Sequence, residues 1–238
     1  MVGIDAAGDT VGFYVNNPAV GTTSGFGKGI LGSFFTINQP GFVFNQVLGV
    51  NQAGTEIAGY SSTDPAGMTG QQAFTATGPL FTSFTNINAL LPANLNSQAT
   101  GVNNMGTVVG FYQTDAAGDD SAFEDNGGTI TSFLVPGSTS TQALGINDLG
   151  EIVGDYILGG QMFGFLDDGG AFSMINPYGA TASTANGIND NGTIVGFYTN
   201  ASGSTIGFVT PAPEPASLAL FGSGLLGLGM VGWRRRRS

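Results

Sequence analysis

Cysteine and histidine are both absent from the 238 residues. Their absence excludes a Ser-His-Asp triad, a thiolate nucleophile, a disulfide framework, and zinc or copper sites built on nitrogen or sulfur. Any catalyst here has to be carboxylate-based. The lack of cysteine fits a reducing compartment and equally an exported bacterial protein that does without disulfides. Basic side chains are almost as scarce. Lys28 stands alone in the body, and the other four are the terminal run Arg234, Arg235, Arg236 and Arg237. Residues 1–210 hold 15 acidic side chains against that one lysine, a net charge of −14. Such a body repels a phosphate backbone, so nucleic acid is not an expected partner. Cations, neutral glycans and other surface polymers are.

What is abundant is glycine, 41 residues, and phenylalanine, 18, in a chain that is 41% hydrophobic. That is enough apolar material for a core and disfavours disorder. The glycines mark a repeat. GIDAAGDTVGFY starts at Gly3, GVNQAGTEIAGY at Gly49, GVNNMGTVVGFY at Gly101, GINDLGEIVGDY at Gly145 and GINDNGTIVGFY at Gly187. The starts are 46, 52, 44 and 42 residues apart, a period that belongs to propellers or arrays. Five of the six tyrosines (Tyr14, Tyr60, Tyr112, Tyr156, Tyr198) lie eleven residues after the opening glycine.

Within each copy, Asn147-Asp148-Leu149-Gly150 and its counterparts read as a tight turn. The leading Asn suits the first position of a type I turn, and the Gly a following left-handed position. The strand after the turn (Val108–Tyr112, Ile152–Tyr156, Ile194–Tyr198) is apolar on both faces, as a strand covered on each side must be. A Phe-containing strand follows: Gly25-Phe26, Ala73-Phe74, Ala122-Phe123, Gly164-Phe165 and Gly207-Phe208. The first four copies add a further run, over 33–37, 80–87, 129–134 and 171–175. Four strands per repeat predict an all-β, propeller-like body of about five four-stranded blades over 1–210; a β-solenoid is the weaker alternative. The first copy opens inside its motif and the fifth stops after its third strand at Thr210, so both ends of the array read as incomplete.

From Pro211 the composition changes to PAPEPASLALFGSGLLGLGMVGWRRRRS. A short Pro-rich linker (211–215) leads into 216–233, 18 uncharged positions that reach about 27 Å as a helix, close to the thickness of the hydrocarbon core. This predicts one transmembrane helix, with Trp233 at the interface and the basic tail 234–238 anchored on the cytoplasmic side. A retained inner-membrane anchor is the plainer alternative.

Pro213-Glu214-Pro215, a glycine-rich apolar span and an Arg cluster, in that order, resemble the PEP-CTERM sorting signal of Gram-negative bacteria. The resemblance covers about the last 28 residues. It implies export, recognition and processing by an exosortase-type membrane protease, and delivery to the cell surface or the exopolysaccharide layer of a biofilm. The repeats are similar to HAF repeats of exported bacterial proteins, on Ile146 to Tyr156, Gly164-Phe165-Leu166 and Phe35 to Gly41; the His that often precedes Gly-Phe there is absent here. Export also calls for an N-terminal signal, and MVGIDAAGDTVGFYV has neither a basic start nor an apolar stretch, which points to a truncated or mis-started reading frame.

The remaining candidates are acidic. Asp115, Asp119 and Asp120, with Glu124 and Asp125 beyond, are weak calcium candidates, as is the pair Asp167-Asp168; Asp and Gly are equally what hairpin loops require. The repeated Asp5, Asn51, Asn103, Asn147 and Asn189 read as turn formers rather than a ring of ligands. The tyrosines read as packing between blades rather than a sugar-binding surface. A glycoside hydrolase needs two placed carboxylates, and the body's glutamates are Glu56, Glu124 and Glu151, two of them beside the repeat turn. The turn resembles the Asp-box of sialidases, but no Arg precedes residue 234 to clamp a substrate carboxylate. The expectation is a non-catalytic exported repeat protein without a cofactor, with a carbohydrate- or calcium-binding module and a carboxylate-dependent glycoside hydrolase as alternatives.

Overall fold

The computed structural model describes residues 2–210 apart from 20, 30, 31, 93 and 94. The Pro213-Glu214-Pro215 motif, the 216–233 span with Trp233, and the basic tail therefore lie outside the described residues. Among the described residues no helix is long and apolar enough to cross a membrane.

Each repeat folds as an antiparallel meander. The first sheet contains β1 (Gly3–Ile4), β2 (Thr10–Asn17), β3 (Thr22–Lys28) and β4 (Phe34–Ile37). The second contains β5 (Phe44–Val50), β6 (Glu56–Ser62), β7 (Gln72–Thr77) and β8 (Ser83–Asn86). The third contains β9 (Ser97–Val102), β10 (Thr107–Gln113), β11 (Asp120–Asn126) and β12 (Thr129–Phe133). The fourth contains β13 (Ser140–Ile146), β14 (Ile152–Leu158), β15 (Gln161–Asp168) and β16 (Ala171–Ile175). The fifth has three strands, β17 (Ala180–Ile188), β18 (Ile194–Asn200) and β19 (Thr205–Val209). The result is a five-bladed propeller in which every sheet is built from consecutive strands, three of them in the fifth among the described residues.

Two glycines of the repeat explain how the sheets fit together. The opening glycine lies where first strands crowd at the axis. A Cβ on Gly101 would meet Gly145 Cα at 3.3 Å, and one on Gly145 would meet Gly187 Cα at 3.2 Å. The second glycine pairs across the strands with the repeat's Phe: Gly12 with Phe26, Gly59 with Phe74, Gly110 with Phe123, Gly154 with Phe165 and Gly196 with Phe208. In the last four the Phe ring edge lies 2.8–2.9 Å from where a Cβ would be, and the carbonyl oxygen of the first strand closes the other side. The aromatic ring thus fills the groove that the missing side chain opens, a device that lets a glycine survive in a strand interior. Gly127-Gly128 and Gly169-Gly170, all at positive φ, make the two-residue turns of two outer hairpins.

The core is distributed between blades. Val109 of β10 packs with Ala143 and Ile152 of the fourth sheet, and Val153 of β14 with Ala185 and Ile194 of the fifth. The residue before the second glycine is buried in four blades, Val11 at 3% and Ala58, Val109 and Val153 at 0%. Its fifth counterpart, Val195, is 45% exposed. Among the described residues no further sheet covers that face of the fifth blade.

Two expectations are corrected. The second repeat carries one extra residue in its turn, because Asn51 N–H reaches Glu56 O where Asn103 N–H reaches Thr107 O. Gly59 is the structural counterpart of Gly110, so Tyr60 falls at the position of Phe111, on the opposite sheet face from Tyr112. Of the tyrosines at the shared position, Tyr112 and Tyr156 are buried and Tyr14 is 45% exposed. The run 80–87 forms a strand only over β8, because Pro79 opens a 3-10 turn and Leu80 and Phe81 take left-handed φ values of 57° and 54°.

Candidate functional site

The repeat turns gather at one end of the axis. In each, the Asn or Asp side chain caps its own loop: Asn147 Oδ1 accepts from Leu149 N–H at 3.0 Å and Glu151 N–H at 2.9 Å, and Asn103, Asn189 and Asp5 do the same. The turn glycine follows at positive φ, +84° at Gly150, as the sequence predicts. The side-chain amide then does something the sequence did not show. Asn103 Nδ2 donates to Asn147 O at 3.2 Å, and Asn147 Nδ2 to Asn189 O at 3.1 Å, each in the next blade.

A second series runs outside this one. Ala53 N–H donates to Asn104 Oδ1 at 2.7 Å, Asn104 N–H to Asp148 Oδ1 at 2.8 Å, and Asp148 N–H to Asp190 Oδ1 at 2.9 Å. The second, third and fourth turns are thereby each capped by a side chain of the following blade, so Asn104, Asp148 and Asp190 are occupied in holding blades together. The first repeat has Ala6 at this position and offers no side-chain acceptor. The turns rim a cavity of about 350 Å³ lined by residues of all five sheets, among them Ile4, Gln52, Asn103, Asn147 and Asp190. Farther along the channel Gln98, Gln142 and Asn186 line another of about 330 Å³.

The carboxylates divide by environment. Asp115 Oδ1 accepts from the N–H groups of Ala117, Gly118 and Asp119, so this exposed loop ties itself together. Asp120 instead faces the fourth blade, where Gln142 Nε2 donates to its Oδ2 at 2.6 Å; burial nonetheless holds its pKa above the usual range. Asp155, paired in register with Gln142, is 7% exposed, and burial pushes its pKa up to about 6 against the opposing hydrogen bond of Thr184. Glu151 accepts from Asn147 Nδ2 at 2.6 Å. Glu56 is raised by burial. Asp125 and Asp167 each cap a Gly-Gly turn, receiving Gly128 and Gly170 N–H at 2.7 Å. Among the described residues no three acidic side chains converge as a metal site. Asp155 had no signal in the sequence beyond standing where the other copies carry an aromatic.

Residues 211–237 match the family described as the PEP-CTERM protein-sorting motif. No curated protein matches the chain. Among solved structures, TolB from Acinetobacter baumannii is similar at a TM-score of 0.65 and 13% identity, over 87% of this chain and 51% of that one. The chain thus spans about half the length of that protein. The β-propeller domain of the Trilobed protease from Pyrococcus furiosus, described as having an open velcro topology, is similar at 0.50 and 10% identity over 89% and 84% of the two chains. Identities this low show the propeller fold alone. The C-terminal motif implies an exported protein, recognised in general by an exosortase and membrane-anchored during sorting.

Proposed function

We propose that this is a non-catalytic repeat protein of the cell surface or extracellular matrix, with a HAF-type propeller carried outward by the C-terminal signal. The observation that carries the reading is the match of residues 211–237 to a protein-sorting motif, with Pro213-Glu214-Pro215, the apolar span and Arg234–Arg237 in order at the chain end. In this reading 216–233 spans the inner membrane, Trp233 and the arginines hold it there, and an exosortase removes it, leaving the propeller among exopolysaccharide. The body supports such a role through its charge of −14 and its repeat carboxylates and amides, most of which are engaged in holding turns and blades.

The test is to follow the protein in its own cells with Pro213-Glu214-Pro215 intact and with Glu214→Ala. The reading predicts surface or extracellular protein for the first and accumulation in the inner membrane for the second. Retention of both in the inner membrane, with the tail uncleaved, contradicts it.

A further inference from the structure

In the third and fourth blades the sheet face that carries Tyr112 and Phe123, or Tyr156 and Phe165, packs against the blade before it. The same face of the first blade carries Tyr14, Phe26 and Phe34 and is open. Tyr14 is 45% and Phe34 68% exposed, whereas Tyr112, Tyr156, Phe123 and Phe165 are all buried. The register sets Tyr14 opposite Ser24, Phe26 opposite Gly12 and Thr36, and Phe34 opposite Lys28, so the three rings step diagonally across β2, β3 and β4. Phe26 and Phe34 meet edge to face with centroids 5.6 Å apart. With Thr36 the rings line a groove of about 310 Å³, within the size range of small-molecule sites.

An interior face merely left bare would keep the residue types of the other blades, and this one does not. Thr10 stands where the others bury Ile57, Val108, Ile152 and Ile194. Lys28, the register partner of Thr10, stands where the third and fourth blades have Asp125 and Asp167. Those aspartates are buried and cap Gly-Gly turns. Lys28 is exposed instead, with its Nζ 5.6 Å from the centroid of Phe34, and among the described residues no carboxylate pairs with it. It is the only base of a body with 15 acidic side chains, yet residues 10–38 contain no acid at all. At the other end of the strip, Ser24 Oγ accepts from Asn16 Nδ2 at 2.7 Å and from Asn38 Nδ2 at 3.1 Å, which holds two exposed amides near Tyr14.

We infer that this groove binds an acidic oligosaccharide, with sugar rings over Tyr14, Phe26 and Phe34 and a uronate carboxylate at Lys28 Nζ. The C–H groups of a pyranose face carry partial positive charge and suit the negative face of an aromatic ring. Sugar hydroxyls at the rim meet the amides of Asn16 and Asn38, which both donate and accept. A neutral glycan leaves the lysine unused, and a bare anion leaves the rings unused. A nucleic acid needs several bases for its phosphates, and the groove has one. The inference deepens the surface-protein reading and rests on it for contact with exopolysaccharide.

Calorimetric titration of the full chain tests this, in a detergent without a sugar head group and at about 0.15 M salt, where distant charges are largely screened. The probes are tetragalacturonate, its fully methyl-esterified form and a tetraglutamate peptide. The uronate is expected to bind with a Kd of about 1 mM or tighter, the ester about threefold or more weaker, and the peptide not measurably at that concentration. Lys28→Gln should bring the uronate down to the level of the ester. Tyr14→Ala and Phe34→Ala should each weaken both sugars about threefold or more with little change in Tm, because these rings are exposed. Equal binding of uronate and ester overturns the proposal, as does peptide binding as tight as that of the uronate. So does uronate binding that Lys28→Gln, or the two ring variants, leave intact, or none at about tenfold above the expected Kd. None of these outcomes bears on whether the C-terminal signal sorts the protein.

Discussion

Gly154 and Asp155 are neighbours in β14 with opposite consequences. At Gly154 a methyl group would strike Gln142 O and come within 2.8 Å of the Phe165 ring, and neither the first strand nor a fully buried Phe can retreat. Gly154→Ala is therefore expected to cost about 3 kcal/mol, read as a fall in the chemical-denaturation midpoint, whereas Gly203→Ala, in an open turn, costs about 1 kcal/mol for its positive φ alone. Asp155 works against the fold at neutral pH. Its folded pKa of about 6 lies above the value of 3.8 for a free carboxyl, so the folded state holds the proton more tightly. Its contribution is most favourable below that lower value, declines as pH rises through about 6, and stays unfavourable above it, by no more than about 3 kcal/mol. Asp155→Asn should accordingly raise stability at pH 7.5 and flatten the fall in Tm between pH 4 and pH 7, with Asp120 and Glu56, also raised, leaving a residual slope. A variant with the wild-type slope would show that Asp155 does not carry the titration.

The blades test the repeat interface. Val153 is enclosed by Ala185 and Ile194 of the next sheet, while Val195, its counterpart, faces no further sheet among the described residues. Val153→Ala should cost about 2 kcal/mol and Val195→Ala no more than about 0.5 kcal/mol in denaturant melts. Equal losses would mean that the fifth blade's face is covered in solution. This asymmetry marks the limit of what the sequence discloses. The turn is legible because Asn and Gly at fixed spacing have a local mechanism, and the strand count because Phe, Thr and β-branched residues recur between turns. The Gly-Phe pairs and the amide of Asn147 reaching Asn189 join residues that are distant in the chain, and no local pattern announces them. Tyr60 is a case of misleading evenness: an extra turn residue in the second copy is masked in the motif's count, and only the strand register reveals that the side chain changes face. Val153 and Val195 look alike in sequence, since burial depends on whether a next blade is there.

At the scale of the whole molecule, an acidic propeller with its blades laced by side-chain caps is joined to a tail of wholly different composition. The body's −14 charge and the tail's four arginines sit on opposite sides of an apolar span, an arrangement that makes sense if the two ends of that span face different compartments. The propeller fold is shared with proteins only 10–13% identical and so does not choose a function; the terminal motif is what directs the account. Its most direct test is the intact mass of the protein recovered from cells with and without an exosortase. The account predicts a product shortened by the apolar span and the arginines when the protease is present, and the uncut C-terminus when it is absent. A full-length C-terminus in both would contradict it.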